Sequence, residues 1–276
     1  MNVTGIILAA VVVGGTGLLI GLFLGFAAQK FYVEVDEKEE AVLDALPGNN
    51  CGGCGYAGCS GLAAAIAKGE APVNACPVGG APVAEVISGI MGVAAEEGVK
   101  QVAYVNCAGT CDRAKENYNY FGEMDCAMAA HVPGGGSKAC SYGCLGFGSC
   151  VKACQFDALH IVNGIAWVDK EACVACGKCV ETCPRHLIDL VPDKQKYFVS
   201  CSSQDKGREV MQACSVGCIG CKKCEKACHF DAIHVENNVA KIDYDKCKNC
   251  GLCAKECPKH IIYKIEQPKT TVTKTA

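Results

Sequence analysis

The chain has 276 residues, 25 of them cysteine, and a formal net charge of −3 at pH 7. A cysteine content this high is typical of proteins held together by disulfides, zinc or iron–sulfur clusters. The small negative charge argues against nucleic acid as a partner, because no general basic field is present. Aromatic residues make up 7% of the chain, with a single tryptophan. A large conventional core is therefore not expected beyond the N-terminal third, and metal–sulfur bonds must replace part of the missing burial.

The first element predicted along the chain is an apolar helix. No charged residue occurs from Thr4 to Ala28, and an apolar helix of this length can cross a hydrocarbon core about 30 Å thick. A cleaved signal peptide is the alternative, but no basic residue precedes the run, which is also too long for a signal sequence. Lys30 follows the run and favours a cytoplasmic location for the long C-terminal part. The sequence therefore predicts a single-pass anchor over 1–29 in the cytoplasmic membrane, with the cluster domains on the cytoplasmic side.

After this helix the sequence divides into a mainly helical unit and a cysteine-rich region with short strands, which is an α+β organisation. Apolar residues at helical spacing predict helices over 35–46 and 84–97, and residues 101–105 are typical of a short strand. The polar C-terminal tail is expected to be disordered. The predicted segments are a transmembrane anchor (1–29), a 4Fe–4S domain (30–98), a cysteine-containing linker region (99–138), two ferredoxin-like modules (139–192 and 193–266) and a disordered tail (267–276).

The cysteine-rich region contains an internal duplication. Residues 140–186 align without a gap with residues 214–260, and a repeat this regular indicates two copies of one structural unit. Each copy has alternating apolar residues on either side of a turn, which predicts a small β-hairpin between two cysteine motifs. The hairpins are expected over 158–162 with 165–168 in the first copy, and over 233–235 with 240–242 in the second.

The second copy carries the cysteine pattern of bacterial two-cluster ferredoxins, in which two runs of C-x2-C-x2-C-x3-C follow each other. Three cysteines of each run bind one 4Fe–4S cluster, and the fourth reaches across to the other cluster. Zinc sites are usually built from two separated cysteine pairs, so two clusters fit the spacing better than zinc does. The predicted ligand sets are Cys218, Cys221, Cys224 and Cys257 for one cluster, and Cys228, Cys247, Cys250 and Cys253 for the other.

The first copy departs from this pattern at one ligand position, where Phe147 replaces the equivalent of Cys221. One cluster remains complete, with the predicted ligands Cys154, Cys173, Cys176 and Cys179. The other retains Cys144, Cys150 and Cys183, and Cys140 is the nearest spare cysteine for the fourth position. A three-iron cluster or a ligand from elsewhere in the chain is the alternative.

Two further groups of cysteines lie upstream. A C-x2-C-x4-C loop followed by a distant cysteine fits one 4Fe–4S cluster, and its glycines allow backbone amides to turn toward sulfur. This group consists of Cys51, Cys54, Cys59 and Cys76. A sixth site is predicted from Cys107, Cys111 and Cys126, completed by Cys140, Cys201 or Cys214. The alternative for the last two is that they are buried thiols. The chain is therefore predicted to hold five or six 4Fe–4S clusters.

The sequence contains none of the common nucleotide-binding motifs, neither GxGxxG after a strand nor GxxxxGK followed by serine or threonine. No nucleophile elbow or pair of catalytic carboxylates stands out either. The predicted chemistry is therefore one-electron relay by clusters. We expect no catalytic residue, no nicotinamide site and no other substrate site on this chain, and no cofactor-binding residue beyond the cluster ligands.

Three features together resemble the RnfB family of Rnf complexes, which has RsxB as a close relative: the uncharged N-terminal helix, the segment from Leu46 to Cys59 (LPGNNCGGCGYAGC) and the ferredoxin modules. The doubled ferredoxin module is similar to the longer forms of this family. The resemblance implies an electron-transfer subunit of an ion-translocating ferredoxin:NAD oxidoreductase that takes electrons from reduced ferredoxin. It also implies the membrane, soluble ferredoxin and the other Rnf components (A, C, D, E and G) as partners. A membrane-tethered polyferredoxin that serves a reductase without pumping ions is the alternative.

Overall fold

The computed structural model describes residues 3–30, 36–94 and 98–264. It begins with helix α1 (Val3–Lys30), along which large apolar side chains such as those of Leu19 and Phe23 are exposed. In the described ranges, no helix combines the length and the apolarity needed to cross a membrane. The predicted transmembrane anchor over 1–29 is therefore not confirmed. The tail predicted over 267–276 lies outside the described residues.

A small helical unit follows, built from α2 (Glu37–Ala45), α3 (Cys59–Ala67) and α4 (Gly80–Met91). Asp36 caps α2, because its side chain accepts a hydrogen bond from a backbone amide of the first turn. The apolar faces of the three helices meet in one core around Val42 and Leu62. α4 begins before the predicted 84, at Gly80, and it ends at Met91 because Gly92 adopts the left-handed conformation (φ 69°) that stops the helix. Residues 95–97 of the predicted helix 84–97 lie outside the described residues.

The first ferredoxin-like module pairs its outermost strands and places a hairpin between them. Its elements are β1 (Gln101–Val105), α5 (Cys126–Ala130), a 3₁₀ turn (Pro133–Gly135), α6 (Ser149–Ala153), β2 (Leu159–Val162), β3 (Ile165–Val168), α7 (Lys178–Thr182) and β4 (Ile188–Pro192). The predicted strand and hairpin are confirmed. β1 is antiparallel to β4, with Val105 opposite Ile188. This pairing ties part of the predicted linker region, 99–138, to the first module.

The second module repeats this arrangement. Its elements are β5 (Tyr197–Val199), α8 (Gly207–Ala213), α9 (Lys223–Lys226), β6 (Ile233–Glu236), β7 (Val239–Ile242), α10 (Leu252–Lys255) and β8 (Ile262–Lys264). β5 pairs with β8, and β6 pairs with β7 in the predicted second hairpin. Asn237 and Asn238 have positive φ angles (47° and 65°), as both central residues of a type I′ hairpin turn require.

The two modules lie against each other. The rings of Tyr104 on β1 and Phe198 on β5 stack with their centroids 4.3 Å apart. The segment between β1 and α6 joins this contact, because Ala114 forms a β-bridge with Cys214 at the end of α8. The fold therefore brings cysteines of the segment 99–138 close to cysteines of both modules. The division of the chain into the predicted domains stays a prediction.

Candidate metal centres

All 25 cysteines are free thiols, and all of them except Cys111 fall into six sets of four: the fold gathers every member of sets 2 to 6 and three members of set 1, whose fourth member, Cys51, is assigned from the sequence motif. We number the sets so that consecutive numbers denote sets that are neighbours in the structure. They are set 1 (Cys51, Cys54, Cys59, Cys76), set 2 (Cys154, Cys173, Cys176, Cys179), set 3 (Cys126, Cys144, Cys150, Cys183), set 4 (Cys107, Cys140, Cys201, Cys214), set 5 (Cys218, Cys221, Cys224, Cys257) and set 6 (Cys228, Cys247, Cys250, Cys253). In sets 2 to 6 the four cysteines line one common pocket.

Sets 5 and 6 lie in the second module and have the composition predicted from the spacing. Burial raises the pKa of Cys224 in set 5 to about 12 and that of Cys253 in set 6 to about 11. In each set the other three thiols add to the shift. Cys257 of the second run lies with set 5, and Cys228 of the first run lies with set 6. The fourth cysteine of each run therefore crosses to the other set, as the ferredoxin pattern predicts.

The four thiols of set 2 lie together, as do Cys54, Cys59 and Cys76 of set 1. Burial raises the pKa of Cys179 in set 2 to about 12, and the other three thiols of the set raise it further. Set 1 forms around the start of α3 in the helical unit, where burial raises the pKa of Cys76 and the nearby Cys59 and Cys54 add to that shift. The amide of Gly79 donates a hydrogen bond to Sγ of Cys76 (3.3 Å), which favours the thiolate.

The helical unit touches the first module where set 1 meets set 2. Gly53 lies so close to Cys176 that a methyl group at Gly53 would be 2.6 Å from the carbonyl oxygen of Cys176. After burial, which is the main cause, Cys51 is among the thiols that raise the pKa of Cys176. Glycine is required at position 53 because no side chain fits between the two loops.

Set 3 differs from the prediction in its fourth member, which is Cys126 and not Cys140. Cys126 lines the same pocket as the other three thiols of the set. Burial raises the pKa of Cys150 to about 12, and Cys126 is among the neighbours that add to the shift. Cys140 lines a different pocket, in which Cys214 is its neighbour. The spacing did not reveal Cys126, because this cysteine lies outside the duplicated region.

Cys126 reaches set 3 because α5 packs on Phe147, the residue that replaces a ligand of the repeat. The ring of Phe147 packs against the buried group around Cys126 and lies 5.1 Å from the ring of Tyr120. Ser149 holds the start of α5 in place: its hydroxyl accepts a hydrogen bond from the amide of Cys126 (2.7 Å) and donates one to the carboxylate of Asp125 (2.7 Å). Asp125 in turn caps α5.

Set 4 lies between the two modules and takes its cysteines from four separate segments. Its pocket, together with the open solvent at its mouth, comprises about 460 Å³ of space that no protein atom fills. Burial raises the pKa of Cys201 to about 12, and Cys107 is among the thiols that add to the shift. The structure separates the three cysteines predicted to share a sixth site, Cys107, Cys111 and Cys126, because β1 directs Cys107 to set 4 while α5 carries Cys126 to set 3.

The cysteine spacing alone does not assign two members of set 4, Cys201 and Cys214. Neither cysteine belongs to a C-x2-C run. The sequence suggests them as ligands only through the cysteine total of 25, which is one more than six sets of four require. Cys111 is exposed and lies outside the six sets, with its sulfur beside Gly164.

Within the described parts of the chain, no three His, Cys, Asp or Glu side chains are placed to hold a single metal ion.

The donor chemistry of the sets fits 4Fe–4S clusters. Four cysteine thiolates are the usual ligands of such a cluster. Burial raises the pKa of several of these thiols, but binding to iron deprotonates a thiol, so the raised pKa values do not prevent cluster binding. Several of the sulfurs accept hydrogen bonds from backbone amides, an arrangement that tunes iron–sulfur clusters. Examples are Gly79 to Cys76 (3.3 Å), Ala103 to Cys173 (3.4 Å) and Ala232 to Cys228 (3.4 Å). When bound, each cluster supplies one-electron oxidation and reduction.

The fold and these sites define an iron–sulfur protein with ferredoxin domains. Comparison with known families agrees: the model for an Fe-S cluster matches residues 46–78. The model for a 4Fe-4S dicluster domain matches residues 172–232 and 217–261. The first match contains all four cysteines of set 1, and the other two together contain every cysteine from Cys173 to Cys257.

Relatives that cover nearly the whole chain define the family. The chain is 48% identical, over 94% of its length and 78% of the relative, to the B component of the Na(+)-translocating ferredoxin:NAD(+) oxidoreductase complex of Acetobacterium woodii. It is 42% identical, over 91% of its length and 95% of the relative, to the B component of the ion-translocating oxidoreductase complex of Methanosarcina acetivorans. It is 43% identical, over 92% of its length and 90% of the relative, to the B component of the proton-translocating ferredoxin:NAD(+) oxidoreductase complex of Clostridium ljungdahlii. The chain belongs to this family, the B components of ion-translocating oxidoreductase complexes, which confirms the resemblance to RnfB.

Proposed function

We propose that this chain is the electron-transfer subunit of an ion-translocating ferredoxin:NAD⁺ oxidoreductase. It accepts electrons from reduced ferredoxin and relays them to the membrane subunits of the complex. The observation that carries the proposal is the arrangement of the six cysteine sets, which form one continuous series through the structure. Each set is joined to the next by a direct contact or by a short shared segment.

Two hydrogen bonds join the middle of the series. The amide of Cys144 in set 3 donates to Sγ of Cys107 in set 4 at 3.4 Å. The amide of Cys218 in set 5 donates to Sγ of Cys201, also in set 4, at 3.3 Å. Set 4 therefore connects the two ferredoxin modules.

The remaining neighbours are joined inside the modules and at the helical unit. Helix α6 carries Cys150 of set 3 and is capped at its end by Cys154 of set 2. Helix α9 carries Cys224 of set 5, and Cys228 of set 6 follows two residues after the end of this helix. Sets 5 and 6 therefore share one short segment. Set 1 touches set 2 through Gly53. These contacts and shared segments therefore link all six sets, from set 6 to set 1.

We propose that all six sets hold 4Fe–4S clusters. Sets 1, 2, 5 and 6 have the spacing of known cluster motifs. Set 3 gains its fourth thiol from Cys126, so a three-iron cluster is not needed to explain the missing ligand of the repeat. Set 4 has four thiols around one pocket between the modules.

We place electron uptake at the second module, where Cys221 of set 5 and Cys250 of set 6 are exposed. A cluster edge near the surface can exchange electrons with a docked protein. Lysines surround these two loops and suit an acidic partner such as soluble ferredoxin. They are Lys222, Lys223, Lys226, Lys248 and Lys255.

We place the chain at the cytoplasmic membrane, with the cluster domains on the cytoplasmic side. Support comes from the exposed apolar side chains of α1, which directly precedes the helical unit that holds set 1. Set 1 is then the end of the series that delivers electrons to the membrane subunits. The other components of the complex (A, C, D, E and G) are the proposed partners, and nicotinamide is reduced on one of them and not on this chain.

Iron analysis and rapid kinetics of the full-length chain, purified without oxygen, test the proposal. Six clusters require about 24 irons per chain, and chemically reduced ferredoxin should reduce the chain in a stopped-flow mixing experiment, whereas NADH alone should not. Fewer than about twelve irons after reconstitution contradicts the cluster series. Purification from native membranes separates the proposal from a polyferredoxin that pumps nothing, because the proposal requires several polytopic subunits to accompany the chain.

A further inference from the structure

Lys138 is a buried cation, and the described residues include no acidic partner for it. The residue is 3% exposed, and its ammonium donates hydrogen bonds to the carbonyl oxygens of Gly109 (2.9 Å) and Gly164 (2.8 Å). No carboxylate of the described residues forms an ion pair with this ammonium. Lysine is almost never fully buried unless its charge is paired, because an ion loses much hydration energy when it leaves water. Lys138 therefore requires negative charge from another source.

Lys138 lines the pocket of set 4 together with Cys107 and Cys140. Gly109, whose carbonyl binds the ammonium, donates its own amide hydrogen bond to Sγ of Cys107 (3.4 Å). Burial raises the pKa of Cys107 in set 4 and of Cys144 in set 3, and the ammonium of Lys138 opposes both shifts. One of its carbonyl partners, Gly164, directly precedes β3, and the amide of Ala166 on β3 donates a hydrogen bond to Sγ of Cys144 (3.4 Å). Lys138 therefore lies where set 3 and set 4 meet.

Arg185 is a second cation at the same junction. It follows Cys183 of set 3 by two residues, and its guanidinium donates hydrogen bonds to the carbonyl oxygens of Cys140 in set 4 (2.9 Å) and Gly143 (3.0 Å). Burial lowers the pKa of Arg185, while thiols of both sets oppose that shift. Two cations bound to backbone carbonyls therefore face the same two cysteine sets.

We infer that Lys138, together with Arg185, supplies the positive charge that offsets the negative charge of the clusters in sets 3 and 4. The inference rests on the proposed function, in which both sets hold clusters. A 4Fe–4S cluster bound by four thiolates is negatively charged, and each electron that it takes up adds one further negative charge. A fixed positive charge close by stabilises the reduced form more than the oxidised form. Lys138 therefore raises the reduction potentials of these two clusters and weakens the repulsion between them.

Three variants of the full-length chain separate the charge of Lys138 from its packing. Lys138→Gln removes the charge but keeps an N–H donor for the two carbonyls, and Lys138→Arg keeps the charge. Lys115→Gln is the matched control: Lys115 is exposed, and its carbonyl accepts a hydrogen bond from the amide of Ala139 (2.8 Å), the residue that follows Lys138. For each variant, iron content is measured first, and the clusters are then titrated potentiometrically with electron paramagnetic resonance as the readout.

We expect Lys138→Gln to bind iron as the wild type does and to shift two of the clusters. At a fixed potential, the ratio of reduced to oxidised form falls about tenfold for these two, which equals about 59 mV for a one-electron couple. The other clusters, and all clusters of Lys138→Arg and Lys115→Gln, titrate as in the wild type.

Unchanged potentials in Lys138→Gln, or the same shift in Lys138→Arg, overturn the inference. A loss of about eight irons from Lys138→Gln that Lys138→Arg does not share supports it, because the charge is then needed to hold both clusters. An iron loss common to the two variants overturns it, since packing and not charge is then responsible. If the proposed function itself is wrong, the result differs, because the wild-type chain then also lacks the iron of the clusters.

Discussion

The backbone amide of Cys144 donates a hydrogen bond to Sγ of Cys107 across 3.4 Å, although the two residues are 37 positions apart in the sequence. Cys107 follows β1, and Cys144 belongs to the first cysteine run of the same module. This bond joins set 3 to set 4, and amide hydrogen bonds to cluster sulfurs tune the potential of a cluster. We therefore expect a change at one of these sets to be measurable at the other.

The first prediction concerns the ligands that the cysteine spacing does not assign. Cys126→Ser removes a thiol from set 3, so the chain should lose between one and about four irons. Cys111→Ser is the control and should keep the full iron content, because Cys111 lies in none of the six sets. Iron analysis and electron paramagnetic resonance measure both variants. Equal iron loss from the two variants contradicts the assignment of Cys126.

A rescue experiment sharpens this prediction. Phe147 occupies the position at which the second repeat has Cys221, so Phe147→Cys should supply the missing thiol in a Cys126→Ser background. We expect the double variant to recover the iron lost from Cys126→Ser, although removing a packed aromatic side chain costs about 3–5 kcal/mol of stability. Failure of the rescue while the chain remains folded by circular dichroism indicates that set 3 is no longer equivalent to set 5.

The second prediction concerns Ser149, which positions Cys126. Ser149→Ala removes the acceptor for the Cys126 amide and the donor for the Asp125 carboxylate. We expect the free energy of unfolding to fall by about 1–3 kcal/mol, because a buried amide loses its partner. Ser88→Ala is the control, since the hydroxyl of Ser88 only bonds back to the carbonyl of Ala84 within its own helix. Guanidinium unfolding under anaerobic conditions measures the difference, and equal destabilisation by the two variants contradicts the prediction.

The third prediction gives this contact a pH dependence. The hydrogen bond from Ser149 is the main cause that holds the pKa of Asp125 below its ordinary value, with amides of α5 adding to it. A lowered folded-state pKa stabilises the protein fully above the unfolded-state pKa, about 3.9 for aspartate, and this stabilisation is lost as the pH falls through the folded-state pKa. The stability difference between the wild type and Ser149→Ala should therefore stay constant down to about pH 5 and shrink below about pH 4. A difference that grows on acidification contradicts this assignment.

The fourth prediction concerns the contact between the helical unit and the first module. Gly53→Ala places a methyl group against the carbonyl of Cys176, which should weaken the contact by about 1–3 kcal/mol and slow electron transfer between sets 1 and 2. The iron content should stay unchanged, because Gly53 is not a ligand. Gly89→Ala is the control, since a methyl group at Gly89 meets open space. Freeze-quenched electron paramagnetic resonance follows the rate, and a wild-type rate in Gly53→Ala contradicts the role of this contact.

The spacing of residues along the chain was sufficient to predict the class of protein and most of the local cysteine grouping. In sets 2, 5 and 6, three cysteines sit three positions apart on one loop, so local backbone turns bring them together whatever the rest of the chain does. The two hairpins were predictable for the same reason, because their strands are joined by short turns such as Asn237–Asn238.

The isolated cysteines, by contrast, are placed by contacts that form only in the folded chain. Cys126 joins set 3 through the packing of α5 on Phe147, and set 4 combines Cys107 and Cys140 with Cys201 and Cys214 of the second module where the two modules pack. The pairing of β1 with β4 joins residues more than eighty positions apart. The spacing of cysteines along the chain does not encode such contacts, because they depend on strand pairing and side-chain packing between segments that are remote in sequence.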